Sequence, residues 1–315
     1  MQYFTESDIA KSLDWPALID ALRAGFQRDT ASPTRPHYAI PVPGEADATL
    51  LLMPAWTAGA YVGIKTVTVF PGNGARGLPA VNAHYLLIDA RNGRPVANFD
   101  AGELTARRTA AVSALASTYL SRPDANRLLV MGTGRLAPLL AAAHASVRPL
   151  GSIAIWGRDA DKAEAVARKL RDTGLDGVAT TDPEAEAKRA DIVSCATLAR
   201  DPLIFGRWLK PGSHLDLVGA FTPTMREADD EALTRASVHV DTRAGAMKEA
   251  GEIVQGIASG ALRAEDIRGD LFDLTGGKAA GRTSRDEITA FKSVGCSLVD
   301  LAAAELAFAR LAPAV

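Results

Sequence analysis

The spacing of hydrophobic and polar residues changes along the chain, and this change divides it into two parts. In the first part, residues 5–28 show a helical pattern in two pieces, for which Ser7 and Asp14 are the expected N-caps. Strand-like apolar runs follow without helices between them, which predicts an antiparallel or mixed sheet. These runs cover residues 48–56, 61–70, 83–90 and 94–100, and an Asn-Gly pair between the last two indicates a hairpin.

The second part alternates between strand-like and helix-like segments. A helical pattern over residues 103–120 leads into it, and the alternation predicts a doubly wound parallel sheet. Residues 286–311 then give a long helical pattern, interrupted at residues 292–295, which we expect to pack back on the first part. The alternating segments are predicted as strands at residues 128–131, 152–156, 177–180, 191–196, 213–219 and 237–241, and as helices at residues 161–171, 183–189 and 244–263.

These patterns together predict an α/β protein of two domains. A Rossmann domain with a doubly wound parallel sheet occupies residues 121–285. It is inserted into a second α/β domain, which combines residues 1–120 with residues 286–315. A chain of 315 residues is long enough to form both hydrophobic cores.

The composition excludes several classes of function. Lys plus Arg number 35 against 37 for Asp plus Glu, and because no basic run is present we expect no nucleic-acid surface. The sequence has neither an apolar run of about 18 residues, which a membrane-spanning helix needs, nor the pattern of a signal peptide. Two isolated cysteines, Cys195 and Cys296, fit a reducing compartment. We therefore expect a cytoplasmic protein that binds neither membranes nor nucleic acids.

A glycine-rich turn in the second part predicts a dinucleotide site. Residues 127–143 read RLLVMGTGRLAPLLAAA, which is a buried strand, a G-x-G-x-x-A turn and an apolar helix. Gly132 permits the tight turn, Gly134 lets the backbone approach a pyrophosphate, and Ala137 lets the helix pack on the strand. The amide groups and the positive dipole end of the helix then face the phosphates.

The residue after the second Rossmann strand indicates which dinucleotide is bound. An acidic side chain at this point would hold the ribose 2′-hydroxyl of NAD, but the chain has Arg158, whose guanidinium can bind a 2′-phosphate. The acidic residue Asp159 comes next and could instead cap the following helix. Arg158 could also be a solvated loop residue, but its register with the glycine-rich turn favours NADPH, with NADH possible.

Two cations stand at positions where the pattern expects apolar residues. Lys65 shares one strand face with Tyr61 and Val67, and it either snorkels at a sheet edge or is held for a substrate carboxylate. Arg108 shares a helical stripe with Leu104. Buried charges are costly unless they are paired, and nothing nearby in the sequence supplies an anion. We therefore expect a bound carboxylate to be their partner.

The other reactive residue types form no recognisable site. The five histidines lack the spacing of metal ligands, so we predict no metal site and assign them to the surface or the core. No nucleophile elbow or Cys/His signature is present, and Cys195 at a strand end is interpreted as a small core residue. The histidines are His37, His84, His144, His214 and His239.

Several segments spread over nearly the whole chain resemble one known family, the ornithine cyclodeaminase/μ-crystallin family. The resemblance implies a homodimer of two-domain subunits. In each subunit, a substrate-binding and dimerisation domain is built from both chain ends, and a Rossmann domain is inserted in it. The matching segments are MPAW (53–56), GIKTVTVFPGN (63–73), GLPA (77–80), LTARRTAAVSALA (104–116), VMGTGRLA (130–137) and EITAFKSVG (287–295).

The same resemblance implies roles for individual residues. Arg35, Lys65 and Arg108 match the cations that hold the substrate carboxylate and its reacting carbon, and Lys65 is the candidate catalytic residue. The residues implied in cofactor binding lie in the pyrophosphate loop, near the nicotinamide and in neighbouring segments: Asn82, Arg108, Thr109, Gly132, Thr133, Gly134, Arg135, Leu136, Arg158 and Val294.

One departure from the family pattern bears on the reaction. Cyclodeaminases of the family carry G-x-D-x-P-G-K after the fifth Rossmann strand, and its aspartate handles the substrate amine. Here residues 219–225 read GAFTPTM, with Phe221 in place of that aspartate. A phenyl ring can neither act as a base nor pair with an ammonium group. Either the cyclodeaminase reaction is absent, or the loop is misaligned and Asp216 or Glu227 substitutes.

The resemblance therefore favours the reductase branch of the family. The expected reaction is the NAD(P)H-dependent reduction of Δ1-pyrroline-2-carboxylate, a small cyclic imino acid, to L-proline, together with Δ1-piperideine-2-carboxylate to L-pipecolate. Three alternatives stay open at this point. They are an ornithine cyclodeaminase that releases ammonia, an alanine or N-alkyl amino acid dehydrogenase, and a protein that binds NADPH and a small ligand without turnover.

Overall fold

The computed structural model describes residues 1–312, and the chain forms two compact units. Unit 1 comprises residues 1–108 and the described residues from 296 onward, and unit 2 comprises residues 109–295. In unit 1, the first hundred residues form strands β1 (Gln2–Phe4), β2 (Thr30–Ala31), β3 (His37–Ile40), β4 (Ala48–Thr57), β5 (Tyr61–Val69), β6 (Val81–Asp89) and β7 (Pro95–Asp100) and helices α1 (Glu6–Ser12) and α2 (Trp15–Gln27).

The remaining elements begin with the long helix α3 (Ala101–Leu120), which runs from unit 1 into unit 2. The last helix of the chain, α11 (Ser297–Leu311), belongs to unit 1. Between them come strands β8 (Arg127–Met131), β9 (Ser152–Trp156), β10 (Gly177–Thr180), β11 (Ile192–Cys195), β12 (His214–Leu217), β13 (Ser237–Val240), β14 (Gly269–Asp270) and β15 (Thr289–Lys292), and helices α4 (Leu136–Ala145), α5 (Ala160–Asp172), α6 (Pro183–Arg189), α7 (Asp230–Arg235), α8 (Arg243–Glu249), α9 (Gly251–Ser259) and α10 (Leu271–Thr275), before α11 (Ser297–Leu311).

Unit 1 is a mixed sheet with helices on one face. Its strand order is β1-β7-β6-β5-β4-β2, with β3 also paired to β4, and every pair is antiparallel except β1 with β7. Because side chains alternate along a strand, Met53, Lys65 and Tyr85 share one face in direct register. Helix α11 packs against β4, β5 and α2. The predicted antiparallel or mixed sheet is confirmed, as is the hairpin at the Asn-Gly pair.

The start of helix α1 differs from the expected one. Thr5 is its N-cap, because the Thr5 hydroxyl accepts from the amide of Asp8 while the Asp8 carboxylate accepts from the amide of Thr5. Ser7, the expected cap, lies inside the first turn. Helix α2 does begin after Asp14, whose carboxylate accepts from the amide of Ala17.

Unit 2 contains the predicted doubly wound parallel sheet. Its order is β10-β9-β8-β11-β12-β15-β13-β14, and all of these pairs are parallel. Alternate residues of β8 enter two different hydrophobic cores, Leu128 with α4 and α5 on one face and Leu129 with residues of α6, α7 and α9 on the other. The sheet is therefore covered on both faces, as parallel sheets usually are.

The expected helical pattern over residues 286–311 is wrong in its first half. Residues Thr289–Lys292 form β15, which is fully buried between β12 and β13, and the helix begins only at Ser297. A four-residue strand whose two faces are both buried has no polar alternation, so its pattern does not distinguish it from a buried helix.

The unit boundaries differ from the expected domain boundaries at both ends of unit 2. Residues 286–295 belong to unit 2 because β15 is part of its sheet. Residues 109–120 also belong to unit 2, since Ser113 bonds Asp216 on β12 and the carbonyl of Leu120 accepts from Arg282 and Thr289.

Candidate active site

A cavity of about 390 Å³ lies at the carboxyl ends of the central strands of unit 2. Parallel α/β sheets bind ligands at this edge, where the order of the strands reverses. The cavity is lined by the glycine-rich turn, the end of β9 and the segment after β11: Gly132, Thr133, Gly134, Trp156, Gly157, Arg158, Ala196, Thr197, Leu198, Ala199, Arg200 and Leu203.

The glycines of the turn fit a bound pyrophosphate. Gly132 has φ of +130°, and a Cβ there would lie 2.6 Å from the carbonyl oxygen of Ala196, so no other residue fits without rearrangement. At Gly134 a Cβ would meet no protein atom within 4 Å, so the backbone is open to a ligand. A Cβ on Gly157 would lie 2.5 Å from the Thr133 methyl group, so this glycine lets Thr133 sit close to β9.

Arg158 lines this cavity together with a second arginine. Asp159, the acidic neighbour of Arg158, is the N-cap of α5 and accepts from the amide of Lys162. The alternative that Asp159 caps a helix is thus confirmed. Arg200, in the segment after β11, lines the same cavity. Both guanidinium groups suit a phosphate better than a neutral ribose.

A buried carboxylate joins the two loops next to this cavity. Glu227 accepts from the amide and the hydroxyl of Thr197 at 2.6 and 2.8 Å, and from the amides of Gly219 and Ala220 at 2.7 and 3.3 Å. Thr197 follows β11, and Gly219 follows β12. One side chain therefore fixes the positions of both loops.

Two further charges surround Glu227 in the core. Lys292 of β15 lies 3.1 Å from the carboxylate of Glu252, which also accepts from the amide of Glu227 at 2.8 Å. All three side chains are buried. Burial raises the pKa of Glu227 to about 7; the nearby Lys292 opposes this rise and Glu252 adds to it.

Asp241 fixes the loop after β15 in a similar way. Its carboxylate accepts from the amides of Val294 and Gly295 at 2.9 and 2.6 Å, and from the hydroxyl of Ser293 at 3.2 Å. Val294 was predicted near the nicotinamide. Its position is therefore set by a buried acid at the end of β13, whose pKa is raised by burial.

Lys65 and Arg108 meet in the interior of unit 1, and their partner is Asp300. The Lys65 ammonium lies 2.7 Å from one oxygen of Asp300, and Arg108 Nε lies 2.8 Å from the other. We expected a bound carboxylate as their partner, but the chain itself supplies an anion, Asp300. Asp300 is far away in the sequence, but α11 carries it onto the sheet.

Arg35 lies beside this pair. Its Nη1 is 3.9 Å from the sulfur of Met53, and Met53 stands opposite Lys65 in the sheet register. We call the group of Arg35, Lys65, Arg108 and Asp300 the cation cluster. Two buried cations of this cluster, Lys65 and Arg108, share the single carboxylate of Asp300, so the buried part of the cluster favours an anionic ligand.

The cation cluster lowers the pKa of its lysine. Burial lowers the pKa of Lys65 to about 8, because the attraction of Asp300 compensates only partly and Arg108 and Arg35 repel a further positive charge. Burial alone would raise the pKa of Asp300, but Arg108 and Lys65 hold it below its usual range. Lys65 therefore has a lower pKa than an ordinary lysine side chain and gives up its proton more readily.

A glycine in the same strand makes room for this arrangement. A Cβ on Gly63 would lie 1.8 Å from the hydroxyl of Tyr85, so the tyrosine ring crosses the strand where a side chain is missing. Tyr85 stands opposite Lys65 in the register and is fully buried. Gly63 is thus required for the packing of the residue next to Lys65.

The other predicted site residues lie outside both the cavity of unit 2 and the cation cluster. Asn82 is on the sheet face opposite to Lys65, and its amide donates to the carbonyl of Pro79. Thr109 follows Arg108 on α3, and Arg135 and Leu136 stand at the start of α4. None of these four lines the cavity of unit 2, and their roles stay predictions.

The loop that carries Phe221 has no carboxylate available for an amine. Phe221 is 47% exposed. Asp216, one of the two proposed substitutes, is fully buried on β12 and accepts from Ser113, Ser194 and His144. Glu227, the other substitute, already accepts from three backbone amides and the hydroxyl of Thr197. Neither side chain can take over the role of the aspartate that Phe221 replaces.

Sequence reasoning missed Asp300 and Asp241 and recognised Glu227 only as a substitute for the missing aspartate. Each of these acids contacts partners that are distant in the chain, so local spacing gives no signal for the contacts. The available signal was the charge itself: an acid inside an apolar helix stripe or at the end of a buried strand needs a partner. Arg200 was missed because it lies in a segment without regular structure.

No helix within residues 1–312 is long and apolar enough to cross a membrane. No group of three His, Cys, Asp or Glu side chains among them is arranged to hold a metal ion. Of the histidines, His144, His214 and His239 are buried, whereas His37 and His84 are exposed.

Comparison with known proteins gives consistent matches over the whole chain. The sequence profile of the ornithine cyclodeaminase/mu-crystallin family matches residues 2–313. The chain is 40% identical over 301 residues to a Δ1-pyrroline-2-carboxylate reductase of Paracoccus denitrificans, covering 95% of this chain and 94% of that protein.

Solved structures also match nearly the whole chain. The Δ1-pyrroline-2-carboxylate reductase of Thermococcus litoralis, in complex with NADH and L-proline, matches with a TM-score of 0.91 at 28% identity, covering 98% of this chain and 97% of that one. An archaeal alanine dehydrogenase dimer with bound NAD matches with a TM-score of 0.88 at 27% identity, covering 98% of this chain and 95% of that one.

Proposed function

The chain belongs to the ornithine cyclodeaminase/mu-crystallin family, and we propose that it reduces cyclic imino acids. It is an NAD(P)H-dependent oxidoreductase that acts on carbon–nitrogen bonds. In this proposal its substrate is Δ1-pyrroline-2-carboxylate, which becomes L-proline, and Δ1-piperideine-2-carboxylate, which becomes L-pipecolate, is a second substrate. The observation that carries the proposal is the cation cluster, in which the buried Lys65 and Arg108 share one carboxylate, an arrangement that suits a small carboxylate ligand.

Each member of the cation cluster has its own part in the proposed reaction. Arg35 and Arg108 bind the substrate carboxylate; Arg108 uses its Nε for Asp300, which leaves its two terminal nitrogens to the ligand. Lys65 holds a proton for the imine nitrogen, and Asp300 orients both side chains. The dinucleotide, when bound by the glycine-rich turn of unit 2, supplies the hydride.

The loop with Phe221 supports reduction over ornithine cyclodeamination. Release of ammonia from ornithine needs a group that handles the substrate amine, and this loop presents a half-exposed phenyl ring. An apolar side chain suits a ring substrate without a second charge. A dehydrogenase for open-chain 2-oxo acids with ammonia is the second candidate, because an alanine dehydrogenase shares the fold over nearly the whole chain.

The proposal is tested by substrate-dependent oxidation of the reduced dinucleotide. We expect NADPH to be consumed with Δ1-pyrroline-2-carboxylate and L-proline to be formed. Pyruvate with ammonia is the matched assay for the second candidate. A protein that binds NADPH but consumes none with any of these substrates would instead be a binding protein.

We propose NADPH as the preferred cofactor, with NADH also used, on the strength of Arg158 and Arg200. We expect Arg158→Gln to weaken NADPH binding by about tenfold to hundredfold, the value of a charge-assisted hydrogen bond, and to change NADH binding little. Arg200→Gln should show the same selectivity. The measurement is the dissociation constant of each cofactor by fluorescence titration, with Arg263→Gln, at an arginine paired to Asp266 away from the cavity, as the control. Equal losses for NADPH and NADH would contradict the assignment.

We also propose a homodimer formed through the open face of the unit 1 sheet. The side chains opposite to the Lys65 face include Leu52, Ile64 and Leu86, which are only half-buried, and Trp56, which is 41% exposed. Large apolar side chains that remain accessible on one sheet face are typical of a subunit interface. The alanine dehydrogenase neighbour is described as a dimer.

Sedimentation velocity tests this interface. We expect Leu86→Lys to convert a dimer into monomers, because it places a charge at the centre of the apolar face. Val178→Lys is the control, since Val178 is 51% exposed on an edge strand of unit 2. A Leu86→Lys protein that sediments as the wild type would exclude this face. The cytoplasmic location remains a prediction that rests on two cysteines, Cys195 and Cys296, which are not joined in a disulfide.

A further inference from the structure

The carboxylate of Glu227 has both oxygens fully used by donors. Oε1 accepts from the amide and the hydroxyl of Thr197, and Oε2 accepts from the amides of Gly219 and Ala220. A proton on Oε2 would point at the amides of Gly219 and Ala220, which can only donate. A proton on Oε1 could be accepted only by the Thr197 hydroxyl, which would then no longer donate to Glu227. Protonation of Glu227 therefore breaks or reverses at least one of these four hydrogen bonds.

The groups around Glu227 place its ionisation close to neutral pH. Glu252 on α9 repels its negative charge, and Lys292 on β15 attracts it. Two further titratable groups lie on the neighbouring strands, Cys195 on β11 and Asp216 on β12. Burial raises the pKa of the Cys195 thiol, and the negative charges of Glu227, Asp216 and Glu252 raise it further. With the pKa of Glu227 at about 7, a fraction of the molecules carries the proton under ordinary conditions.

The loops that Glu227 holds are part of the dinucleotide cavity. Thr197 lines the cavity, and so do the three residues that follow it. A Cβ on Gly219 would lie 2.0 Å from the carbonyl oxygen of Thr197, so the two loops are in direct contact. Loss of a bond to Glu227 therefore changes the wall of the cavity and the base of the loop with Phe221.

We propose that Glu227 is a positioning residue of the dinucleotide site, whose ionised carboxylate holds the loop after β11 in the form that binds the dinucleotide. This inference rests on the proposed use of a dinucleotide by unit 2. Two consequences follow by linkage. Dinucleotide binding weakens as the pH falls and Glu227 takes up a proton, and binding at neutral pH releases a proton from the protein.

Calorimetric titration with NADP⁺ tests the proposal without any turnover. For the wild type we expect the dissociation constant to be about tenfold larger at about pH 6 than at about pH 8, as one ionisation near pH 7 requires. Titrations at pH 7 in two buffers of different ionisation enthalpy give the number of protons released. The Glu227→Gln variant keeps the shape of the side chain but cannot ionise. It should therefore bind NADP⁺ more weakly than the wild type at about pH 8 and release fewer protons on binding. The 2′-phosphate of NADP⁺ titrates in both proteins, so the difference between them isolates Glu227.

A second variant separates ionisation from simple structural support. Glu252→Gln removes the negative charge next to Glu227 and should move the midpoint of the pH dependence to lower pH. A residue that only fills space would not produce such a shift. Glu186→Gln, on the surface helix α6, should behave as the wild type.

The outcomes are distinct. Tight binding with the same pH dependence and proton release in the wild type and in Glu227→Gln would overturn the inference about Glu227. So would an unchanged midpoint in Glu252→Gln, which decides the question even if Glu227→Gln does not fold. Absence of NADP⁺ and NAD⁺ binding at every pH would instead overturn the proposed function.

Discussion

Replacing Lys65 by methionine is expected to lower kcat/KM for the cyclic imino acid by about 10²- to 10⁴-fold, the contribution of a positioned proton donor. Methionine fills a similar volume in the buried position and removes the ammonium group together with its hydrogen bond to Asp300. The dinucleotide should still bind with its normal affinity, because Lys65 does not line the cavity of unit 2. Steady-state kinetics and a dinucleotide titration on the same preparation measure both effects.

The pH profile of the wild type gives an independent test of the same role. With a pKa of about 8, Lys65 is an ammonium group below this pH and a neutral amine above it. If the ammonium donates the proton, kcat/KM falls as the pH rises through about 8. Lys11→Met, at an exposed lysine of α1, is the matched control and should keep both rate and profile. Wild-type turnover by Lys65→Met would remove Lys65 from the mechanism.

Replacing Asp300 by asparagine is expected to have the largest effect on stability. The substitution leaves two buried cations without their anion, and removal of one partner from a buried ion pair lowers the free energy of unfolding by about 3–5 kcal/mol. Urea denaturation measures this loss. Asp124→Asn is the control, because Asp124 and its partner Arg285 are exposed and its second partner, Arg122, keeps an ion pair with Asp191. This variant should unfold almost as the wild type does.

A double variant distinguishes unpaired charge from disturbed packing. Adding Lys65→Met to Asp300→Asn removes one of the two unpaired cations, so the double variant should be more stable than Asp300→Asn alone. If stability instead falls by the sum of the two single effects, the cost of Asp300→Asn comes from packing. The charge balance that we assign to the cation cluster would then be wrong.

Much of the fold could be predicted because its signals are local. The glycine-rich turn lies between a strand and a helix, so its residues specify both the turn and the elements on either side. The strand and helix alternation likewise predicted the parallel sheet. The same patterns could not predict β15, because a short strand with both faces buried lacks the polar alternation that identifies a strand.

The sequence predicted the cations of the candidate site but not their partners, because the partners are distant in the chain. Periodicity placed Lys65 and Arg108 on apolar faces, and the structure does bury both. Their partner Asp300 follows Arg108 by 192 residues and comes close only through the packing of α11 on the sheet. Asp241 and Glu227 are similar, since each binds backbone amides of loops that the sheet topology brings together. Contacts of this kind depend on the tertiary fold and leave no pattern in the sequence.

The most direct test of the proposed function compares two reactions on one enzyme preparation. Oxidation of NADPH is followed with Δ1-pyrroline-2-carboxylate, and release of ammonia is followed with L-ornithine and NAD⁺. We predict NADPH oxidation with formation of L-proline in the first assay and no ammonia in the second. Ammonia from ornithine without NADPH oxidation would contradict the proposal, because a carboxylate other than the one that Phe221 replaces would then have to handle the substrate amine.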